Sequence, residues 1–480
     1  MLLSGNGTAD TPPKTNFCME HAAMNRRIVI TGLGILSPLG VSTDAFWENC
    51  LAGKTVVEPI PPHWRDYYDY SCPIWSPLPP IDYESFGLTR IDMMQLDKVQ
   101  ALGICAARQA LEDAGLNPTL KDRRKNTYSI AISDSTRFGV HVGTGIGGIG
   151  TYTTCEGTHL LSGIARDLGE LRTSLSEEGA DASTAKLDRM LAAVRYSRRF
   201  NPFAVARCMP NACSAAIGIK FSAHGPNTTP CCACASGTVA VGRAFREIQS
   251  GTIDISLCGG SECIGDQYGG VFRGFDVAKT LLKENGDPST ANRPFDHDRT
   301  GFLLSEGGSG ILVLEELEHA RRRGARMYAE VRSFAETFDA FTVMGMDPEG
   351  TQIERLGRRL LTDASLTPAD VDYINAHGTG TETNDNAESS VIERLFGAKP
   401  IIAATKSLSG HAIGASGAIE AIVTALSLYH QTTHACRNLD NPIRDLNFAR
   451  EARPSTIRNA LTHSFAFGGH NAGLVLSKAD

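Results

Sequence analysis

The stretch GPNTTPCCACASGT, residues 225–238, packs Cys231, Cys232 and Cys234 into four positions. Three chemistries fit that density: a metal knuckle, a redox pair, or one working thiol with two neighbours. A structural zinc needs four ligands in tetrahedral array, and no second CxxC or HxxxH cluster is present to complete one. A C-x-C redox pair lacks the CxxC spacing of thioredoxin-like sites. The third reading fits the flanks. An extended PNTTPCC meets ACASG and then the helical TVAVGRAFREIQ. Cys234 is thereby expected at a strand-to-helix turn, beside unpaired N–H groups and the positive end of the helix dipole. That position favours a thiolate and offers donors to a developing oxyanion. Cys231 and Cys232 are then expected as small buried packing residues.

A cysteine ahead of a helix is more often filler than nucleophile, so the remaining chemistry matters. NAHGTGTETND carries His377, and TKSLSGHAIGASGAIE carries Lys406 and His411. Single histidines are usually structural. These two sit among glycines at strand ends, where open α/β sheets bind ligands. HSFAFGGHN (463–471) reads as an aromatic and glycine loop, or as a turn with two core phenylalanines; spacing alone leaves both open.

The elements that must position these residues alternate. RRIVITGLGILSPLG, FGVHVGTGIGG, DISLCGG, GGSGILVLEEL, VDYINAHGTGT and KPIIAATKS read as buried strands or strand ends. STDAFWENCLAG (capped by Ser42 or Thr43), QLDKVQALGICAARQALEDAGL, SGTVAVGRAFREIQSG and SGAIEAIVTALSLYHQ read as helices. Such alternation implies mostly parallel sheets covered on both faces, an α/β fold. Residues 157–199 are charged and helix-prone, a surface excursion.

A net charge of −7, with 42% hydrophobic and 21% charged residues, gives no support to nucleic-acid binding, which calls for a clustered basic excess. Thirteen cysteines without framework spacing point to reduced thiols and a cytoplasmic setting. No apolar run approaches the ~18 residues that span a bilayer. Residues 1–25 lack the layout of a signal peptide and are read as a disordered leader.

Taken together, the segments resemble the condensing enzymes of the thiolase fold, specifically β-ketoacyl-acyl-carrier-protein synthases of the elongating type II class. The matches are VITGLGILSPLG, the GP…ACASG segment, RPFDHDRTGFLLSEGGSG (293–310), HGTGTETND, TKSLSGHAIGASGAIE and SFAFGGHN. They occur in family order over residues 26–478.

The resemblance implies a duplicated five-layer αβαβα architecture with two mixed sheets, one half spanning about 26–290 and the other about 291–478, with an insertion near 157–196. It implies that Cys234 accepts the acyl chain. His377 and His411 assist malonyl decarboxylation and stabilise the enolate, and Lys406 orders the site, accompanied by the buried acids Glu388 and Glu420. Phe467 is implied as the gate, its backbone N–H joining that of Cys234 in an oxyanion hole. Thr379 and Thr381 are implied to contact the pantetheine arm. Arg198, Arg199 and Lys279 match basic residues that would dock an acidic acyl carrier protein. No cofactor or metal is implied, and the family forms homodimers, with a heterodimer as the variant.

Three departures stand out. Ala466 replaces the usual glycine of the gate, Met344 falls where a pantetheine-contacting threonine is expected, and Cys232 replaces a threonine two positions before the nucleophile. They point to a specialised branch, serving a polyketide or an unusual fatty acid. Two rivals share the fold. A non-decarboxylating thiolase or acyltransferase would carry a second cysteine near the C-terminus, where SFAFGGHN has none. A non-catalytic chain-length partner subunit would lack the nucleophile.

Overall fold

The computed structural model describes residues 26–157, 201–283 and 287–479, with positions 168, 169, 173, 187 and 188. The leader at 1–25, most of the 157–196 insertion and the pair Arg198 and Arg199 lie outside the described residues.

Ten strands form one sheet: β1 (Ile28–Leu36), β2 (Phe138–Gly143), β3 (Asn227–Thr228), β4 (Ile255–Cys263), β5 (Gly307–Glu316), β6 (Ala329–Phe338), β7 (Tyr373–Asn375), β8 (Ile401–Ala403), β9 (Asn459–Ala466) and β10 (His470–Ser477). Their spatial order is β8-β7-β9-β10-β6-β1-β5-β4-β2-β3. Outward from the centre, β1-β5-β4 pair antiparallel and β4-β2-β3 parallel. In the other direction β6-β10-β9 pair antiparallel and β9-β7-β8 parallel. The same pattern twice is a duplication. The two mixed sheets expected from the resemblance meet where β1 and β6 share three antiparallel pairs, Ile28↔Val331, Val29↔Glu330 and Ile30↔Ala329, so hydrogen bonding is continuous.

Strands β1, β4 and β5 are buried along their whole length, as near-continuous apolar and small-residue runs require when both sheet faces are covered. Helices α1 (Lys98–Asp113) and α2 (Ala212–Lys220) cover the outside of the first half, and α4 (Thr351–Ala364) with α5 (Glu382–Phe396) covers the second. Between the halves run α3 (Ser236–Gln249) and α6 (Ser416–His430), each packed on strands of both. These are the five layers.

The two central helices cross at their first turns. A Cβ on Gly417 would stand 2.1 Å from Thr238 Oγ1, and one on Gly237 would stand 2.7 Å from the Ala418 nitrogen. Only glycine permits this approach. Gly417→Ala is therefore expected to lower stability by about 1–3 kcal/mol through overpacking, read as a lower urea midpoint.

Some expectations need correcting. The boundary between halves does not fall at 290/291: β5 pairs with β1 and β4 of the first half, so the division lies between Glu316 and Ala329. Of the two readings left open for HSFAFGGHN, the structure shows the turn: it is the tip of the β9–β10 hairpin, pairing Ala466 with His470 across a short turn in which Gly468 and Gly469 take φ of +83° and +86°. Of the two proposed caps, Ser42 caps the helix Thr43–Leu51, its side chain accepting from the Ala45 N–H. A hairpin at Thr119–Asp122 and Thr127–Ser129 was not legible, because its tip KDRRKN reads only as solvated charge.

Candidate active site

In each half a short turn opens a central helix. In the first half, Ala233–Ala235 forms a short 3-10 turn ahead of α3; in the second, Ile413–Ala415 forms one ahead of α6. Ala233 and Ile413 both have φ of +45°, a strained value for residues with a Cβ. Ser236 Oγ accepts from the Cys232 N–H and Ser416 Oγ from the Ala412 N–H, at 2.8 and 2.9 Å. The turn is duplicated in detail. One copy presents Cys234; beside the other stands His411.

The two copies meet. His411 Nε2 lies 3.0 Å from Cys234 Sγ, and the rings of His377 and His411 are 5.5 Å apart and nearly perpendicular. All three side chains are buried and line one cavity of about 320 Å³.

Hydrogen bonding fixes the tautomers. The Ile413 N–H donates to His411 Nδ1 at 3.2 Å, with Ser416 Oγ 2.9 Å away. Lys406 Nζ donates to His377 Nδ1 at 3.0 Å and to the His377 carbonyl at 2.7 Å. With Nδ1 an acceptor in both rings, the hydrogen sits on Nε2. Burial pushes both imidazoles well below the ordinary histidine value, and the Lys406 ammonium lowers them further. Both rings are thus neutral donors at physiological pH.

Lys406 also pairs with Glu420. Burial raises the Glu420 carboxyl to about 7, against the pull of Lys406. Glu388 is buried and supports His377 from the backbone side. It accepts the N–H groups of His377 and Gly378, at 2.7 and 2.9 Å, and so holds the His377 backbone rather than Lys406. Burial pushes its carboxyl up, but His463 and those N–H groups hold it below the usual glutamate value.

The Cys234 thiol corrects one expectation. The backbone N–H groups of Phe467 and Cys234 both point at its sulfur, and with Lys406 they favour the thiolate. Burial outweighs them and pushes the thiol up to about 12, because desolvating a thiolate costs more than a few partial charges return. The resting group is a thiol. Alkylation of Cys234 by iodoacetamide, followed by peptide mass, is therefore expected to climb about tenfold per pH unit from 7 to 9 as thiolate fraction rises; a plateau below pH 8 would contradict this.

The remaining expected residues fall as follows. Thr379 and Thr381 line the cavity with their hydroxyls 2.9 Å apart. Lys279 is exposed on the cavity lining, and Met344 lines it as well, half exposed. Ala466 has extended backbone, φ −127° and ψ 152°, so alanine adds no strain there and the positive-φ freedom of the gate resides in Gly468 and Gly469. Cys231 is exposed and Cys232 half-buried, not the buried pair expected; the strand edge they follow leaves them at the rim. Among the described residues no three His, Cys, Asp or Glu side chains form a metal-holding group, and no helix is long and apolar enough to cross a membrane.

Sequence reasoning missed three supports. Ser416 sits on His411; its place in GASG, ahead of a helical run, was the available signal. Asp385 accepts from the N–H groups of Phe295, Thr379 and Gly380. Glu262 ends the β4 run and is buried completely. An acid closing an apolar strand was the available signal for Glu262.

Residues 25–320 match the Beta-ketoacyl synthase, N-terminal domain family, and residues 328–440 its C-terminal domain. The chain is 35% identical to a 3-oxoacyl-[acyl-carrier-protein] synthase 2 of Staphylococcus aureus over 464 residues, 95% of this chain and 99% of that one. It is 33% identical to the protein so named in Synechocystis sp., over 94% of this chain and 98% of that one. Among solved structures, the ishigamide ketosynthase/chain length factor superposes with a TM-score of 0.76 at 28% identity, and a type II PKS ketosynthase in complex with its acyl-carrier protein with 0.72 at 27%; both cover 95% of this chain and 100% of theirs. The duplicated sheet, the thiol facing two neutral imidazoles and these likenesses lead to one conclusion: the chain belongs to the β-ketoacyl synthase family, with the thiolase fold.

Proposed function

We propose that the protein is a 3-oxoacyl-acyl-carrier-protein synthase, an acyltransferase that condenses an acyl thioester with a malonyl thioester and releases CO2. The observation that supports this best is the meeting of Cys234 Sγ and His411 Nε2 at 3.0 Å, with the His377 ring beside them, in one buried cavity.

The chemistry runs in two stages. Cys234 attacks the acyl thioester carbonyl; the new S–C bond forms, the pantetheine C–S bond breaks, and the departing sulfur takes up the thiol proton. The carbonyl oxygen, negative in between, accepts from the backbone N–H groups of Cys234 and Phe467. Malonyl thioester then enters past Thr379 and Thr381. Its thioester oxygen accepts from the two Nε2–H groups, so the electrons left when CO2 departs are held as an enolate. The enolate carbon attacks the acyl-Cys234 carbonyl, the tetrahedral oxyanion uses the same backbone pair, and collapse returns the Cys234 thiolate for protonation. Neutral imidazoles suit this role: they donate without surrendering a proton.

We read residues 26–478 as one ketosynthase domain behind a leader at 1–25. The partner is an acyl carrier protein, with Lys279 on the cavity rim and Arg198 and Arg199 as its basic contacts. The exposed edge strand β3 supports a dimer, homo- or heterodimeric, and the reduced cysteines a cytoplasmic setting. The pathway is fatty acid or polyketide synthesis.

The test supplies acyl- and malonyl-loaded carrier protein and measures 3-oxoacyl product and CO2. His377→Ala and His411→Ala are each expected to cut CO2 release by about 10²–10³-fold. Unchanged release in either variant would remove that histidine from the mechanism.

A further inference from the structure

Glu262 is a fully buried acid close to Cys234 that the chemistry above does not use. It closes β4, and its carboxylate lies between two turns. Oε2 accepts from the Gly145 N–H at 2.5 Å and from the Gly414 N–H at 3.2 Å; Oε1 accepts from Thr144 Oγ1 at 3.0 Å. Gly145 follows β2 in the half that carries Cys234. Gly414 lies three positions after His411, in the half that carries both histidines.

The duplication gives this contact meaning. Ala233 and Ile413 correspond by their matching φ, Ser236 and Ser416 by their matching hydrogen bonds. Gly414 is therefore the second half's counterpart of Cys234. The Cys234 N–H faces its own sulfur, beside the carbonyl oxygen on which the oxyanion of acyl transfer would develop. The Gly414 N–H points at the Glu262 carboxylate. Each half thus builds an anion cradle of backbone N–H groups on the same turn. One is open to the cavity; the other is filled permanently by a side chain. The fit is close, since a Cβ on Gly414 would stand 2.7 Å from Glu262 Oε2 and one on Gly145 2.8 Å.

We propose that Glu262 is a positioning residue of the condensation: by filling the second half's anion cradle, it ties the loop that carries His411 to the half that carries Cys234, and sets the gap between imidazole and sulfur. The inference rests on the function proposed above. The residue between His411 and Gly414 that matters is Ile413, whose N–H fixes the His411 tautomer at 3.2 Å; a shift of Gly414 moves that donor directly. The carboxylate is held by N–H dipoles from both turns at once, and among the described residues no cation is paired with it. Burial raises the carboxyl to about 7, against the pull of the Gly145, Thr144, Gly414 and Ile146 donors. The titratable groups around it are the thiols of Cys213, Cys231 and Cys234.

Glu262→Met is the direct test. The side chain keeps the approximate volume but offers no oxygen to the Gly145 and Gly414 N–H groups, which share Oε2 as acceptor, so both ties are lost and the loop is released. Misplacement of a reacting group by a fraction of an ångström to 1 Å costs up to about 10²-fold in rate. The expected result is a kcat for condensation lower by about 10–100-fold, with KM for malonyl-loaded carrier protein within about twofold, because Thr379, Thr381 and the cavity rim do not touch Glu262. Thr144→Val removes one donor but neither tie, and is expected to stay within about threefold of the parent in kcat. A Glu262→Met protein that folds and matches the parent in kcat overturns the inference while leaving the condensation itself intact. A parent protein that forms no 3-oxoacyl product overturns the function instead. If Glu262→Met does not fold, Glu262→Asp, whose carboxylate is one methylene shorter and cannot reach both turns, replaces it: an unchanged kcat then counts against the inference, and a selective loss of kcat for it.

Discussion

Replacing Cys234 by alanine is expected to abolish the acyl-enzyme and lower condensation by at least about 10³-fold, while malonyl decarboxylation stays within about tenfold of the parent. The split follows from the geometry. The sulfur faces the N–H groups of Phe467 and Cys234, the proposed oxyanion donors, and among the described residues no second thiol lines the cavity to replace it as acyl acceptor. The two imidazoles are held from their far sides, His377 by Lys406 and His411 by the Ile413 N–H and Ser416. Neither depends on the sulfur for its orientation or tautomer. The substitution removes one buried atom and is expected to cost about 1 kcal/mol of stability, so loss of turnover will not reflect unfolding. Separate assays of acyl transfer, by peptide mass, and of CO2 release check both halves of the claim.

Lys406→Met carries the second large effect, and it acts on both stability and chemistry. Lys406 is buried, bonded to His377 Nδ1 and the His377 carbonyl, and paired with Glu420. Removing one partner of a buried pair typically costs about 3–5 kcal/mol, because the other charge is left without compensation. Glu420 softens that cost. Its carboxyl already sits at about 7 with Lys406 beside it; without the ammonium it rises further and is protonated at neutral pH, which brings the expected loss to about 3 kcal/mol. The chemical loss is separate. His377 Nδ1 loses its donor, the Nε2–H tautomer is no longer enforced, and CO2 release is expected to fall about 10²-fold. The double variant Lys406→Met with Glu420→Gln separates the two effects: it should recover most of the urea midpoint, since the uncompensated acid is gone, yet none of the decarboxylation. Recovery of both would mean that Lys406 matters only as a counter-charge.

The site was legible in the sequence to the extent that its residues stand next to turn chemistry. Cys234 before a helix, and His377 and His411 in glycine loops at strand ends, could be singled out one by one. Their convergence could not, because it depends on two halves folding to the same plan and crossing at Gly237 and Gly417, and the resemblance supplied that plan. What escaped was the protonation state of Cys234. The dipole and donors were visible in the local sequence, but burial depends on packing from the distant β9–β10 hairpin and from α6, and burial decides the balance. The partners of Glu388 were not legible for a related reason: besides the His377 and Gly378 N–H groups it meets His463, which comes from the distant β9, and Asn384. The short strands β3, β7 and β8 have two or three residues each, so their bounds were not legible, whereas the long buried strands β1, β4 and β5 were readable as apolar runs.

The central claim is that one sulfur and two imidazoles serve a single carbon–carbon bond formation. It is tested most directly by loading the protein with an acyl chain from carrier protein, isolating it, and then adding malonyl-loaded carrier protein while the mass of the Cys234 peptide and the released product are followed together. The account predicts an acyl adduct on Cys234 that disappears as 3-oxoacyl-carrier protein and CO2 appear in equal amounts. An adduct on another residue, or one on Cys234 that malonyl-carrier protein leaves in place, would contradict it.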